Sequence, residues 1–293
     1  MELSPIFKQQ FADYVVELAE AKGGKIKEHI SQVEETDAAK YTFSTLGSTV
    51  TKDPNAAGVR DAGQDIETAT VDCVVADKEV VIYQKKLDQA KAVAKGATGQ
   101  IANRVVNALA RQEDQFIIKG MEDAVTAGKV TNKVPANFDD GATDSAFSLK
   151  KWLKAKNLLD RAGEGSGNRV LLGTPDTLTA MLSSTEITSK DYNTVNALVE
   201  GTVDSYLGCK FIMITDTAAT KTADVRGLPG VGTVDRKLYM FDGDALGYVD
   251  NVNKSARIEW DVSSSSFKIT GDMSANACVV DPSLVVEISV KEA

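Results

Sequence analysis

No proline interrupts the chain between Leu87 and Ala127, where Ile101, Val105, Leu109, Gln112, Phe116, Met121 and Val125 recur at helical spacing. Gly96, Gly99 and Gly120 each weaken a helix by about 1 kcal/mol, so it is expected to kink or to start late, near Thr98. About thirty residues at 1.5 Å each make roughly 45 Å, longer than a small domain is wide. Such a helix is a spine, and the other elements must be arranged along it.

Residues 5–22 carry Ile6, Phe7, Phe11, Tyr14, Val15 and Leu18 on one side of an amphipathic helix that ends at Gly23-Gly24. Apolar residues are scattered from 25 to 47, which predicts an arm that needs a surface outside itself to lie on. From 41 to 87 the pattern turns to β. Tyr41–Leu46 and Thr49–Thr51 rise to a polar tip running from Lys52-Asp53-Pro54-Asn55 through Gly58 to Gly63. Thr68–Val75 and Glu79–Tyr83 return. The pattern predicts an extended hairpin, which is marginal in water unless packed against something.

After the spine, 128–147 reads as a polar loop. Ser148 is a candidate cap for a helix with Leu149, Trp152, Leu153, Leu158 and Leu159 on its apolar side, ending at Gly163. The strand Arg169–Leu172 leads to a short helix with Thr174 as cap and Pro175 at the first helical position. Asn193–Leu207 reads as helix, then Cys209–Ile214 and Leu238–Phe241 as strands. Four β-stretches close the chain: Ala256–Val262, Ser266–Thr270, Ala277–Val280 and Leu284–Val290. Ser263–Ser266 reads as a turn.

Composition removes whole classes of function. His29 is the single histidine, which excludes Ser-His-Asp triads, Cys-His dyads and multi-histidine metal sites. Cys73, Cys209 and Cys278 are far apart, each in an apolar β-branched setting, and read as small buried hydrophobes in a reducing compartment. The net charge is −9, and successive thirds of the chain carry −4, −1 and −4, so no basic footprint for nucleic acid exists. No stretch reaches the ~18 apolar residues of a membrane span, and a soluble protein made in the cytoplasm is expected.

The remaining motifs read as structural. Gly163-Glu-Gly165-Ser-Gly167 follows a helix and precedes a strand, the reverse of a phosphate loop's context, so it is expected to be a connection. Gly230-Val-Gly232 lacks a following Lys-Ser/Thr. Asp242-Gly243-Asp244 lacks the further ligands of a calcium loop and reads as a solvated turn, as Asp139-Asp140 and Glu34-Glu35 read as solvated surface. Lys52, Asp53, Arg60 and Asp61 cluster at the hairpin tip, where they serve either solubility or contact with a neighbouring subunit. No catalytic residues, metal ligands or cofactor-binding residues emerge. An enzyme is disfavoured.

The order of elements, with several stretches, resembles the major capsid proteins of tailed bacteriophages, the Hong Kong 97-type fold. Leu87–Ala127 is similar to the family's spine helix, with Glu113-Asp114-Gln-Phe-Ile-Ile-Lys-Gly120 near its end. Val170–Leu178, Glu200–Ile212 and Val279–Val290 resemble its strand-to-helix step, its glycine-flanked strand and its closing β segment. The resemblance implies an α+β fold: an N-terminal arm (1–40), an extended β-hairpin loop (41–87), the spine helix and first part of the peripheral domain (88–168), an axial domain (169–254), and a return to the peripheral domain (255–293).

It further implies a structural subunit that self-assembles into hexamers and pentamers of an icosahedral phage head, enclosing double-stranded DNA without sequence-specific binding. Only residues 1–40 precede the hairpin, so a separate scaffolding protein is expected, together with a portal and no membrane. The protein is expected in the virion. An encapsulin-like bacterial nanocompartment shell is the alternative, and an enzyme with an Asp/Glu/Lys-based site is the remote one.

Overall fold

A computed structural model describes residues 13, 24–46, 68–85, 97–139, 143–162, 165–183, 205–206, 208–214, 227–230 and 235–292. The strands are β1 (Gln32–Glu35), β2 (Lys40–Leu46), β3 (Thr68–Val74), β4 (Ala76–Lys85), β5 (Lys133–Val134), β6 (Arg169–Gly173), β7 (Ser205–Tyr206), β8 (Cys209–Met213), β9 (Asp235–Asp242), β10 (Leu246–Asp261), β11 (Ser266–Val279) and β12 (Val285–Lys291). The helices are α1 (Ala97–Thr126), α2 (Leu149–Ala162) and α3 (Pro175–Ser183). Of the helix predicted over 5–22, only Asp13 is described, and it is helical. None of the described helices is long and apolar enough to cross a membrane.

Three sheets organise these strands. One has the order β1-β10-β11-β4, the second β5-β12-β9-β6-β8-β7, and β2 pairs with β3 alone. The fold is α+β, as the sequence predicts.

The spine is α1, 30 residues long and starting at Ala97, close to the predicted start. Val105, Leu109, Phe116, Met121 and Val125 are all buried, and Ala102, Val106, Ile117 and Ile118 join them. The helix runs along β11, and two glycines mark where they touch. A Cβ on Gly271 of β11 would lie 2.5 Å from Val105 Cγ1, and one on Gly120 of α1 would lie 2.6 Å from the Ala277 carbonyl oxygen. Fifteen residues of helix span about 22 Å and six of antiparallel strand about 20 Å, so the two contacts stay in step. Gly120 is a weak point for the isolated helix because its value lies in this close approach.

The same contact corrects the prediction of separate strands at Ser266–Thr270 and Ala277–Val280. The polar stretch between them is continuous β11, pairing with β10 on one side and β4 on the other. Gly271 leaves room for the helix there. The predicted Ala256–Val262 is the second half of the 16-residue β10.

Two further predictions change. Glu79–Tyr83 does not continue the hairpin but belongs to β4, which pairs with β11. The end of the helix predicted over 193–207 is strand: Ser205 and Tyr206 pair antiparallel with Lys210 and Cys209, across a turn in which Gly208 has φ +77°. Residues 193–204 lie outside the described residues.

Both predicted caps are present. The Lys151 N–H donates to Ser148 Oγ (3.2 Å) and the Thr177 N–H to Thr174 Oγ1 (3.2 Å). One turn into α2, Lys151 is fully buried, and its ammonium donates to the carbonyls of Ala136 (2.8 Å), Ser145 (2.7 Å) and Ser289 (3.4 Å). Burial pulls this amine below the ordinary lysine value. Loop, helix and last strand are thereby tied at one point.

Candidate functional site

Lys52, Asp53, Arg60 and Asp61 lie outside the described residues, so the site is approached from the root of the hairpin that carries them. β2 and β3 pair antiparallel from Lys40↔Val74 to Leu46↔Thr68. Among the described hairpin side chains only Phe43 and Cys73 are buried, packing with Val249 and Val280 of the body. Tyr41 packs partly against the same cluster, and on the exposed part of the ribbon Lys40 Nζ lies 2.6 Å from Asp72 and Thr42 Oγ1 donates to it at 2.8 Å. The Lys40 hydrogen bond, then that of Thr42, holds Asp72 below the usual carboxylate range. This exposed pair contributes little to stability.

Residues 24–35 find on the chain's own body the surface that the arm is expected to need. β1 pairs in parallel with β10, Gln32 opposite Gly247 through Glu35 opposite Asp250. Ile26 is completely buried. Two acids on the spine hold the arm's backbone: the Gly24 N–H donates to Glu113 Oε2 (2.7 Å) and the Ile26 N–H to Asp114 Oδ1 (3.0 Å).

Glu113 is 1% exposed and would be costly as a lone charge. Lys254 Nζ at 3.0 Å and Lys27 Nζ at 3.9 Å balance it. Lys27 also meets Asp250 at 2.6 Å and stands 4.6 Å from the centre of the Tyr248 ring. Burial pushes Asp114 up to about 6, against the pull of the backbone N–H groups of Ile26 and Lys25. Glu113-Asp114 is thus a clamp on the arm. Two acids on a helix that is apolar on either side were the available sequence signal.

The motifs read as solvated turns take on internal work. Asp242 is buried, and its carboxylate accepts from Ser166 N–H (3.1 Å), Ser166 Oγ (2.7 Å) and Gly167 N–H (3.0 Å). The glycine loop is a connection, as predicted, and a carboxylate of the chain itself occupies the N–H groups that would otherwise offer a nest to an anion. Asp139 accepts from Ser145 Oγ (3.0 Å) and Ser148 Oγ (2.9 Å), ordering the loop ahead of α2. Glu34 and Glu35 are exposed, in line with the sequence reading.

A groove of about 220 Å³ lies beside α3, lined by Phe147, Asp176, Thr177, Ala180, Val290 and Glu292 among others. Two of its polar groups, Thr177 and Glu292, are both engaged by Thr174. Glu292 takes a hydrogen bond from Thr174 Oγ1 and meets Arg236 Nε at 3.3 Å, while Arg236 donates to the Leu228 carbonyl at 3.0 Å. Burial lifts Glu292 above its ordinary value against those partners. Among the described residues no group of three or more His, Cys, Asp or Glu could hold a metal. His29 sits in a short turn of the docked arm, held below its ordinary value first by burial and then by Lys210. The cysteines are free, with Cys73 and Cys209 buried as expected and Cys278 partly so, and Cys73 and Cys278, 205 positions apart in sequence, share one apolar cluster.

The family profile described as phage capsid protein matches residues 3–292. No curated protein matches the sequence. Among solved structures, the cyanophage P-SCSP1u capsid is 16% identical with a TM-score of 0.67, covering 93% of this chain and 90% of that one. Mycobacterium phage Che8 is 19% identical with a TM-score of 0.61, covering 86% and 84%. A virus-like particle from Pyrococcus furiosus is 10% identical with a TM-score of 0.58, covering 96% and 99%. At these identities the likeness is one of fold.

Proposed function

Since the chain belongs to the phage capsid protein family and is a structural component of a virion shell rather than an enzyme, we propose that its copies form the hexamers and pentamers of an icosahedral head around double-stranded DNA. The observation that carries this reading is the hairpin. Its root is fixed to the body by Phe43 and Cys73, with Tyr41 packed beside them, while Thr42, Ser44, Thr68, Thr70 and Val74 are left exposed for a neighbour to cover. The order of arm, extended loop, spine with first peripheral segment, axial domain and peripheral return is part of the same proposal, with the loop now bounded by the β2–β3 ribbon because β4 pairs within the central sheet.

Lys52, Asp53, Arg60 and Asp61 at the loop tip are the proposed subunit contacts, with both signs of charge available to a like surface. A charge of −9 with no basic third suits a wall along which DNA must slide rather than stick. A separate scaffolding protein and a portal are the expected partners, and synthesis takes place in the host cytoplasm. Electron microscopy of the chain co-expressed with its scaffolding protein should show closed shells with sixfold and fivefold capsomers. Compact monomers under every assembly condition would overturn the proposal. Neighbouring genes for terminase, portal and scaffold separate this reading from an encapsulin-like shell, which predicts a cargo enzyme beside it.

A further inference from the structure

We propose that Cys73 and Cys278 form an oxidisable pair whose disulfide staples the root of the hairpin to the central sheet. Cys73 lies in β3, opposite Tyr41 of β2, and Cys278 lies in β11, opposite Gly247 of β10. Two contacts bring these strands together. Asn276 Nδ2 donates to the Val74 carbonyl at 2.6 Å, and the Phe43 ring lies over Gly247, where a Cβ would stand 2.6 Å from the ring. Both sulfurs belong to one small apolar cluster with Phe43, Val249 and Val280.

Cys278 packs against the cluster that buries Cys73, so the two thiols share one apolar site and interact there. This holds Cys73 below the ordinary cysteine value and, together with burial, pushes Cys278 above it. A disulfide requires the two sulfurs to close to ~2.05 Å, and the neighbouring Asn276–Val74 contact holds their two strands together at this point. Cys73 is buried but Cys278 is partly exposed, so a small oxidant has a way in. The third cysteine, Cys209, is buried in β8 of the other sheet and serves as an internal control.

The oxidant is a peroxide. Hydrogen peroxide converts the Cys73 thiol to a sulfenic acid with release of one water, and the Cys278 sulfur then displaces the hydroxyl as a second water. The two sulfurs lose two electrons, the O–O bond is reduced, and both thiol protons leave in water. In a reducing cytoplasm the pair stays as thiols. A particle released into an oxidising medium closes the bond, which encloses most of the chain in one covalent loop and restricts the unfolded state.

The staple lies within one subunit, so it stands or falls separately from the shell reading. Purified full-length protein is treated with hydrogen peroxide, then unfolded and alkylated without reductant. The expected result is one alkylated cysteine per chain, Cys209, with peptides containing Cys73 and Cys278 linked and a melting temperature raised by about 5 °C. Cys278→Ser is expected to fold, since serine is the smaller polar isostere at a partly exposed site, and to abolish both link and rise. Three alkylated cysteines after peroxide, a link involving Cys209, links joining separate chains, or an equal rise in Cys278→Ser would each overturn the proposal.

Discussion

Asp114 is ionised at neutral pH in an apolar corner where burial favours its proton, and it accepts the Ile26 N–H all the same. The folded state holds that proton up to about pH 6, whereas the unfolded chain releases it near the ordinary 3.8. The contribution of Asp114 to stability therefore falls as pH rises from about 4 to about 6, by up to about 3 kcal/mol, and is level above. Asp114→Asn keeps an acceptor for Ile26 without the charge. The urea midpoint of unassembled subunits should fall less steeply with pH in that window than in the wild type, and a variant with the wild-type slope would contradict the assignment. Composition gives no warning of such residues. Lys151 and Asp242 look like surface charges in a one-dimensional string; both are buried, because carbonyls from 136, 145 and 289, or N–H groups from 166 and 167, converge on them from distant parts of the chain.

Periodicity made α1 the most legible element, and its buried face follows the predicted positions. The strands of the central sheet were harder to read, for a physical reason. β11 is covered by α1 and flanked by β10 and β4, so it needs no apolar alternation where Gly271, Asp272 and Ser274 stand. β4 was assigned to the hairpin because it follows β3 with only Val75 between; its true partner lies 190 residues later, beyond any local pattern. The meeting of α1 with β11 is testable at Gly120. Alanine would gain about 1 kcal/mol of helix propensity, yet its methyl would stand 2.6 Å from the rigid Ala277 carbonyl. Overpacking of this kind costs about 1–3 kcal/mol. Gly120→Ala is therefore expected to unfold at lower urea than wild type, and an unchanged or raised midpoint would show that the sheet gives way.

At the scale of the molecule, residues 24–35 of the arm are anchored on the body, and the proposed subunit contacts at the hairpin tip can be tested separately. The paired reversal Lys52→Glu with Arg60→Glu should leave the unfolding midpoint of isolated subunits within about 0.5 kcal/mol of wild type, as for surface changes away from packed features. Sedimentation should show at least a tenfold loss of closed particles, and undiminished yield would remove the tip from the interface. The order of arm, hairpin and spine was visible in the sequence, whereas the side of the molecule on which the arm lies was not, because Glu113 and Asp114 hold it through backbone groups that any residue possesses. The stepped contacts of α1 and β11, at Val105 with Gly271 and at Gly120 with Ala277, also act as a pair of calipers. One residue inserted between 105 and 120 would rotate the far jaw by about 100° and carry Gly120 off its carbonyl. A tag or displayed peptide is better carried by the Ser263-Ser264-Ser265 turn, which sits outside both jaws and is held by local hydrogen bonds to Asp261 and Ser266.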